Sequence, residues 1–392
     1  MIAIELWWLL ALPVFFSLGW IAARIDPKHL LRESRALPRS YFQGLNFLLN
    51  EQPDRAIEAF LEAAKVDPET VDLHFALGSL FRRRGETDRA IRVHQNLVDR
   101  EGLSDDRRLH ALAELGQDYL KAGLLDRAEE IFLKLRGTAR DEEALKSLLE
   151  IYQQEKEWQK AIDIAEAMPD HADHLWRKAI AEFHCELASS AILHGRPAEV
   201  RAQLDAALAA NRKCVRAAIL LGDLAQSEGR FDDAIEAWTR VEQQNPVYLS
   251  LGAEKLMTGL RQTGRAEHGR QLMRGYLERH ASLDLLDVAF QAELRESGPD
   301  AAYRLVRDEL RRNQTLLGLD KLLEAQVLVA PPERRPDLEL VKNLIHAHTR
   351  RVARYRCDNC GFKARQFHWR CPACGGWETY PPRRTEEFDL TP

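Results

Sequence analysis

Three features of the sequence predict an all-α chain, a row of helix pairs, with an apolar segment before it and a small cysteine-bearing module after it. One is a unit of roughly 34 residues that recurs from residue 37 onward. Another is a charge-free run over residues 6–23. The third is two Cys-x-x-Cys motifs, at 357–360 and 371–374. With 392 residues, 45% hydrophobic and 30% charged, the chain is long enough for two or more domains and a real core. A formal net charge of −5 implies no general affinity for polyanions. Strand signals are few. Of the six cysteines, Cys185 and Cys214 stand alone in helical stretches and the other four cluster. That pattern speaks for metal binding over a disulfide framework, and for a reducing compartment.

Taken in order, residues 6–23 (LWWLLALPVFFSLGWIAA) come first. At 1.5 Å per residue they span roughly 27 Å as a helix, close to the hydrocarbon thickness of a bilayer. Trp7, Trp8 and Trp20 fall near the two ends, where amphipathic rings prefer the interface, and Pro13 is tolerable inside a membrane helix. A cleaved signal peptide needs positive charge before the apolar run. Here Glu5 precedes it, and Arg24, Lys28, Arg32, Arg35 and Arg39 follow. The sequence therefore predicts a retained single-pass anchor over 1–23, its N-terminus outside and the body in the cytoplasm. A linker over 24–36 holds the array close to the bilayer.

The array occupies 37–352, including its capping helices. Ala56, Ala90, Ala128, Ala161, Val200, Ala234 and Gly269 hold equivalent places, spaced 34, 38, 33, 39, 34 and 35 apart. A glycine stands twelve residues before four of them (Gly44, Gly78, Gly116, Gly222). A turn glycine stands five before five of them (Gly85, Gly123, Gly195, Gly229, Gly264). Phe60, Phe132, Leu204 and Trp238 come four residues after, and Pro68 and Pro246 close two units. These residues resemble the tetratricopeptide (TPR) motif, with its small residues at the helix crossing and its aromatic plug. The resemblance implies a superhelix of helix pairs with a concave groove lined by first helices. The inward candidates are Phe75, Ser79, Arg82 and Arg83 in the second unit, and Ala113, Gln117 and Lys121 in the third. Arg82 and Arg83 are read as exposed, and the run Arg82-Arg83-Arg84 as either a solvated face or a receiver of acidic side chains on a partner. The insert at 168–175 carries His171 and His174 and reads as a longer turn. Helices broken near Gly298-Pro299 and at Pro331, Pro332 and Pro336 close the array.

The module over 353–380 contains CDNCGFKARQFHWRCPACGGW. Cys357, Cys360, Cys371 and Cys374 supply four thiolates. Gly361 and Gly375 follow the second cysteine of each pair, where positive φ turns backbone N–H groups toward sulfur. Two such knuckles make a tetrahedral site for one ion, zinc or iron. The pattern C-x-x-C-G with C-P-x-C-G resembles the rubredoxin-like family and wider zinc ribbons. The insert between the knuckles is shorter than in rubredoxins, which favours a structural site. Phe362, Phe367, Trp369 and Trp377 read as a small core over the metal. Arg350, Arg351, Arg354, Arg356, Lys363, Arg365 and Arg370 make this end basic, for docking on an acidic face of the array or for nucleic acid. Residues 381–392 read as a flexible tail.

No phosphate-binding loop, nucleophile elbow or H-E-x-x-H occurs. His184-Cys185-Glu186 imitates half of a zinc-deaminase motif whose other half is missing. The chain reads as non-enzymatic. The order of anchor, TPR units and knuckle pair resembles the lipopolysaccharide assembly protein B family. That resemblance implies an inner-membrane adaptor which regulates lipopolysaccharide biosynthesis. It would promote degradation of the LpxC deacetylase by the FtsH protease, with the membrane and those two proteins as partners and a homodimer as a further option. The residues alone leave two alternatives open: a membrane-bound electron carrier with iron at the four thiolates, and an RNA-binding scaffold.

Overall fold

The computed structural model describes residues 16–17, 39–50, 52–66, 71–169, 173–280, 282–382 and 385–386. The expected anchor and linker thus lie outside the described residues, apart from Phe16 and Ser17, as does His171. Among the described residues no helix is long and apolar enough to cross a membrane.

Two compact units divide the chain, Met1–Ser147 and Leu148–Pro392. The first holds α1 (Arg39–Leu49), α2 (Pro53–Val66), α3 (Val71–Arg83), α4 (Thr87–Val98), α5 (Asp105–Lys121), α6 (Leu125–Leu135) and the start of α7 (Asp141–Glu155). The second holds the rest of α7, α8 (Trp158–Glu166), α9 (His174–Leu193), α10 (Pro197–Ala210), α11 (Val215–Ser227), α12 (Phe231–Gln244), α13 (Leu249–Gln262) and α14 (Ala266–Arg279). It continues through α15 (Leu283–Glu296), α16 (Pro299–Arg312), α17 (Leu316–Val329) and α18 (Arg335–Val352). After α18 comes a small sheet with β1 (Ala353–Arg356) between β2 (Lys363–Ala364) and β3 (Thr385–Glu386), both antiparallel to it. The expected flexible tail therefore contributes a strand: Thr385 pairs with Arg354 and Glu386 with Ala353.

The helices pair because each carries an apolar stripe at helical spacing. In α3 the buried set is Val71, Leu73, Leu77, Leu80 and Phe81. The turn within a pair needs a left-handed residue, and Gly85 and Gly229 supply it at φ 82° and 76°. In the fourth unit Lys156 takes that position at φ 61°, without glycine's freedom. The crossing is close for the reason the spacing implies. A Cβ on Gly116 would come within 2.7 Å of the wholly buried Phe132 ring; Gly44 and Gly222 meet Phe60 and Trp238 in the same way.

In the second repeat, within the first compact unit, the plug is polar, and a charged network follows from it. His94 occupies the plug position, fully buried against Gly78. Its Nδ1 lies 2.5 Å from Oδ2 of the equally buried Asp118 on α5. Arg82 closes the network, with Nη1 2.7 Å from Asp118 Oδ1 and Nη2 2.7 Å from Glu114 Oε2. A buried carboxylate is expensive without such partners. Burial alone would raise the Glu114 carboxyl, but hydrogen bonds from His110 and Arg82, together with the Arg82 charge, hold it at about 2.

A group depressed in the fold stabilises above its unfolded pKa and loses that contribution as pH falls. The Glu114 contribution should be intact above pH 4.5 and vanish toward about pH 2. The denaturation midpoint of the first unit should therefore drop across that window, and Glu114→Gln should flatten the drop. Arg82→Glu, which sets a third carboxylate beside Glu114 and Asp118, should cost about 3 kcal/mol or more in chemical denaturation. An unchanged midpoint would show that the network is idle.

Candidate metal centre

The two knuckles are local copies of one turn. Cys357 N–H donates to the Phe362 carbonyl at 2.8 Å, and Cys371 N–H donates to the Gly376 carbonyl at 2.9 Å. Gly361 N–H and Gly375 N–H each return 2.9 Å bonds to the carbonyls of Cys357 and Cys371. Both glycines have positive φ, 75° and 69°. Each turn brings its two sulfurs to one side. Cys357 and Cys371 are buried, while Cys360 and Cys374 face outward.

All four Sγ atoms lie within 4.8 Å of one another, with Cys357–Cys374 at 3.8 Å and Cys360–Cys371 at 3.7 Å. Metal–sulfur bonds of about 2.3 Å in a tetrahedron put sulfurs about 3.8 Å apart, so the set fits one four-coordinate ion without rearrangement. Backbone N–H of Gly376 and then the Asn359 amide pull the Cys374 thiol down to about 6. For Cys357, the Thr379 hydroxyl and nearby N–H groups lower the thiol despite its burial. The Phe362 N–H favours a thiolate at Cys360, yet the three crowding sulfurs push that thiol up to about 12. Four adjacent thiolates need a cation, and a tetrahedral sulfur set suits zinc or a single iron. With four sulfurs bound no position stays open for substrate, so the ion's contribution is to hold the knuckles.

The ribbon, residues 353–386, docks on the second unit's helices through aromatic side chains. Trp377 stands edge-on to Trp158 and Phe183, each 6.0 Å away between ring centroids. Trp369 stacks on Tyr248 at 5.5 Å and 3° between planes, with the Arg216 guanidinium 5.8 Å from its ring. Around these rings, Tyr248 Oη donates to the Glu378 carbonyl at 3.2 Å and Arg370 Nη1 donates to the Gln153 carbonyl at 3.3 Å. Lys178 and Glu378 form an ion pair of 2.9 Å.

This corrects two expectations. Trp369 and Trp377 do not cover the metal; Phe367 and Tyr380 pack beside Cys357 and Cys371, and the two tryptophans face the array. Nor is the dock basic on acidic. The ribbon's charged contribution is Glu378, paired with the array's Lys178, while Arg370 is half-buried against backbone and the Trp377 ring, 5.6 Å away. The sequence signal was present: four large aromatics exceed what so small a module can bury.

The groove candidates divide. Phe75 stacks on His110 at 4.3 Å, Ser79 donates to Glu114 at 3.3 Å, and Gln117 donates to Ser147 at 2.8 Å. Arg82 is held as described, so it is not the exposed residue that its place in an arginine run suggests. Arg83 and Lys121 are exposed. Cys185 and Cys214, solitary in sequence, meet with their sulfurs 3.7 Å apart.

Comparison with known proteins agrees with this architecture. A family model described as the rubredoxin metal binding domain matches residues 355–382. A tetratricopeptide repeat model matches residues 43–100 and 185–247. Lipopolysaccharide assembly protein B of Escherichia coli K12 is 36% identical over 96% of this chain and 97% of that protein. The protein of the same name from Haemophilus influenzae is 30% identical over 98% of this chain and 100% of its own.

Cys371→Ser should release the ion and disorder roughly residues 353–380, while the helical circular dichroism signal persists. Trp377→Ala should keep the ion and loosen the dock, at a cost of about 3 kcal/mol. Metal content read beside limited proteolysis of the ribbon separates the two. Stoichiometric metal in Cys371→Ser would contradict the four-sulfur site.

Proposed function

The chain belongs to the lipopolysaccharide assembly protein B family, and we propose that it is a non-enzymatic adaptor that regulates lipopolysaccharide assembly from the cytoplasmic face of the inner membrane. The observation that carries the adaptor reading is the docked ribbon. A closed four-sulfur site pinned to a helical repeat array stiffens a surface and offers no reacting position. Residues 6–23 serve as the tether, which raises the effective concentration of the array near membrane partners. The clients are the LpxC deacetylase, presented for degradation, and the membrane-bound FtsH protease. Their recognition uses the first-helix face around Arg83 and Lys121, where exposed cations meet acidic side chains.

Arg83→Glu combined with Lys121→Glu should weaken calorimetric binding of purified LpxC about tenfold, roughly 1.4 kcal/mol. Both residues are exposed, so stability should change by less than about 0.5 kcal/mol. Unchanged affinity would move the client site elsewhere. Deleting residues 1–23 should leave a folded protein that fails to restore normal LpxC turnover in cells at native expression. Full restoration would remove tethering from the mechanism, and crosslinking from membranes without capture of either client would remove the clients.

A further inference from the structure

Beneath the ribbon a second group of ligating side chains converges, separate from the four-sulfur site. Glu182 and Cys185 lie on α9, Cys214 caps the start of α11, and Glu378 comes from the ribbon. Cys214 Sγ and one carboxylate oxygen each of Glu182 and Glu378 lie within 4.8 Å of one another. Glu182, Cys185 and Cys214 have no exposed surface, and the Glu378 side chain is 10% exposed.

Ion pairs flank this group. Arg216 Nη1 lies 3.3 Å from Glu182 Oε2 and 2.7 Å from Glu186 Oε1, and Lys178 Nζ lies 2.9 Å from Glu378 Oε2. Arg370 also bears on Glu186, so three cations face these three carboxylates. Glu378 Oε1 is buried and finds no hydrogen-bonding partner among the described residues. Its residue is held in the left-handed region, φ 49°, by bonds from Tyr248 Oη to its carbonyl and from its N–H to the Trp369 carbonyl. A non-glycine residue there is strained, and the dock maintains the strain.

We propose that Glu182, Cys214 and Glu378 form a second metal site, for Zn²⁺ or a similar thiophilic divalent ion, that clamps the ribbon to the helical array. Cys214 Sγ is 3.8 Å from Glu182 Oε1, close to the about 3.5 Å that one sulfur and one oxygen take around tetrahedral zinc. The thiolate excludes Mg²⁺ and Ca²⁺ as preferred ions. Cys185 Sγ lies 3.7 Å from Cys214 Sγ, and either thiol can donate to the other. Binding releases the Cys214 proton to solvent.

The site stands independently of the adaptor reading, and metal counting tests it. The full-length chain, equilibrated with Zn²⁺ alone and desalted, should carry two metal ions. Cys214→Ser and Glu378→Gln should each carry one, with the four-sulfur site still filled. X-ray absorption of the wild-type zinc should give about 2.5 sulfurs per ion, the mean of one four-sulfur and one single-sulfur site. One ion per chain in the wild type, four sulfurs per zinc, or two ions retained by either variant would overturn the proposal. The absorption measurement needs no variant, so a folding defect in Cys214→Ser does not blunt the test.

Discussion

Trp377, set edge-on against Trp158 and Phe183, is the contact on which the second unit's organisation turns. The ribbon is too small to stand alone. Among its described residues the buried cluster is Cys357, Cys371 and Tyr380, and its strands are four, two and two residues long. A module with so little core needs an ion to fix its knuckles and a neighbour to bury its aromatics. The array supplies the neighbour where the fourth and fifth units lack a large aromatic plug: Ala165 and Leu204 stand where Phe132 and Trp238 stand in their own units. Trp158 and Phe183 are thereby left to receive a ring from outside the repeat. Arg370, Lys178 and Tyr248 then fix the angle of the contact through directional bonds that an apolar patch alone would not provide.

The first unit solves a different problem. Placing histidine at a plug position buries a polar ring, and that ring obliges a carboxylate, which obliges an arginine. The chain from His94 through Asp118 to Arg82 and Glu114 links α3, α4 and α5 by hydrogen bonds where other units use packed rings. Such a network fixes register more sharply than apolar contact and is more sensitive to acid. It also ties up Arg82, while Arg83 and Lys121 on the same first helices stay exposed.

The helix pairs were legible because their rules are local. Glycine at a tight turn and a small residue opposite a large one are constraints of a few residues, visible as spacing. The knuckles were legible for the same reason: each is a six-residue turn whose glycine and cysteines must stand in order. What spacing could not carry was contact over long sequence separation. Trp377 lies more than two hundred residues from Trp158, and nothing local distinguishes an aromatic that covers its own metal from one that enters a distant repeat. Lys156, in the left-handed position that other units give to glycine, shows the limit within a repeat as well. There the turn is imposed by the packed helices on either side and not by the residue. Strand β3 carries no sequence signal, because two residues pairing on a sheet edge leave no periodicity.

Ion, ribbon and array form one coupled structure in the second unit. Hydrogen–deuterium exchange of the full-length protein before and after chelation of its metal tests this directly. The coupled account expects faster exchange in residues 353–382 together with α8, α9 and the start of α13, where Trp158, Phe183 and Tyr248 lose their partner rings. Faster exchange confined to residues 353–382 would contradict it.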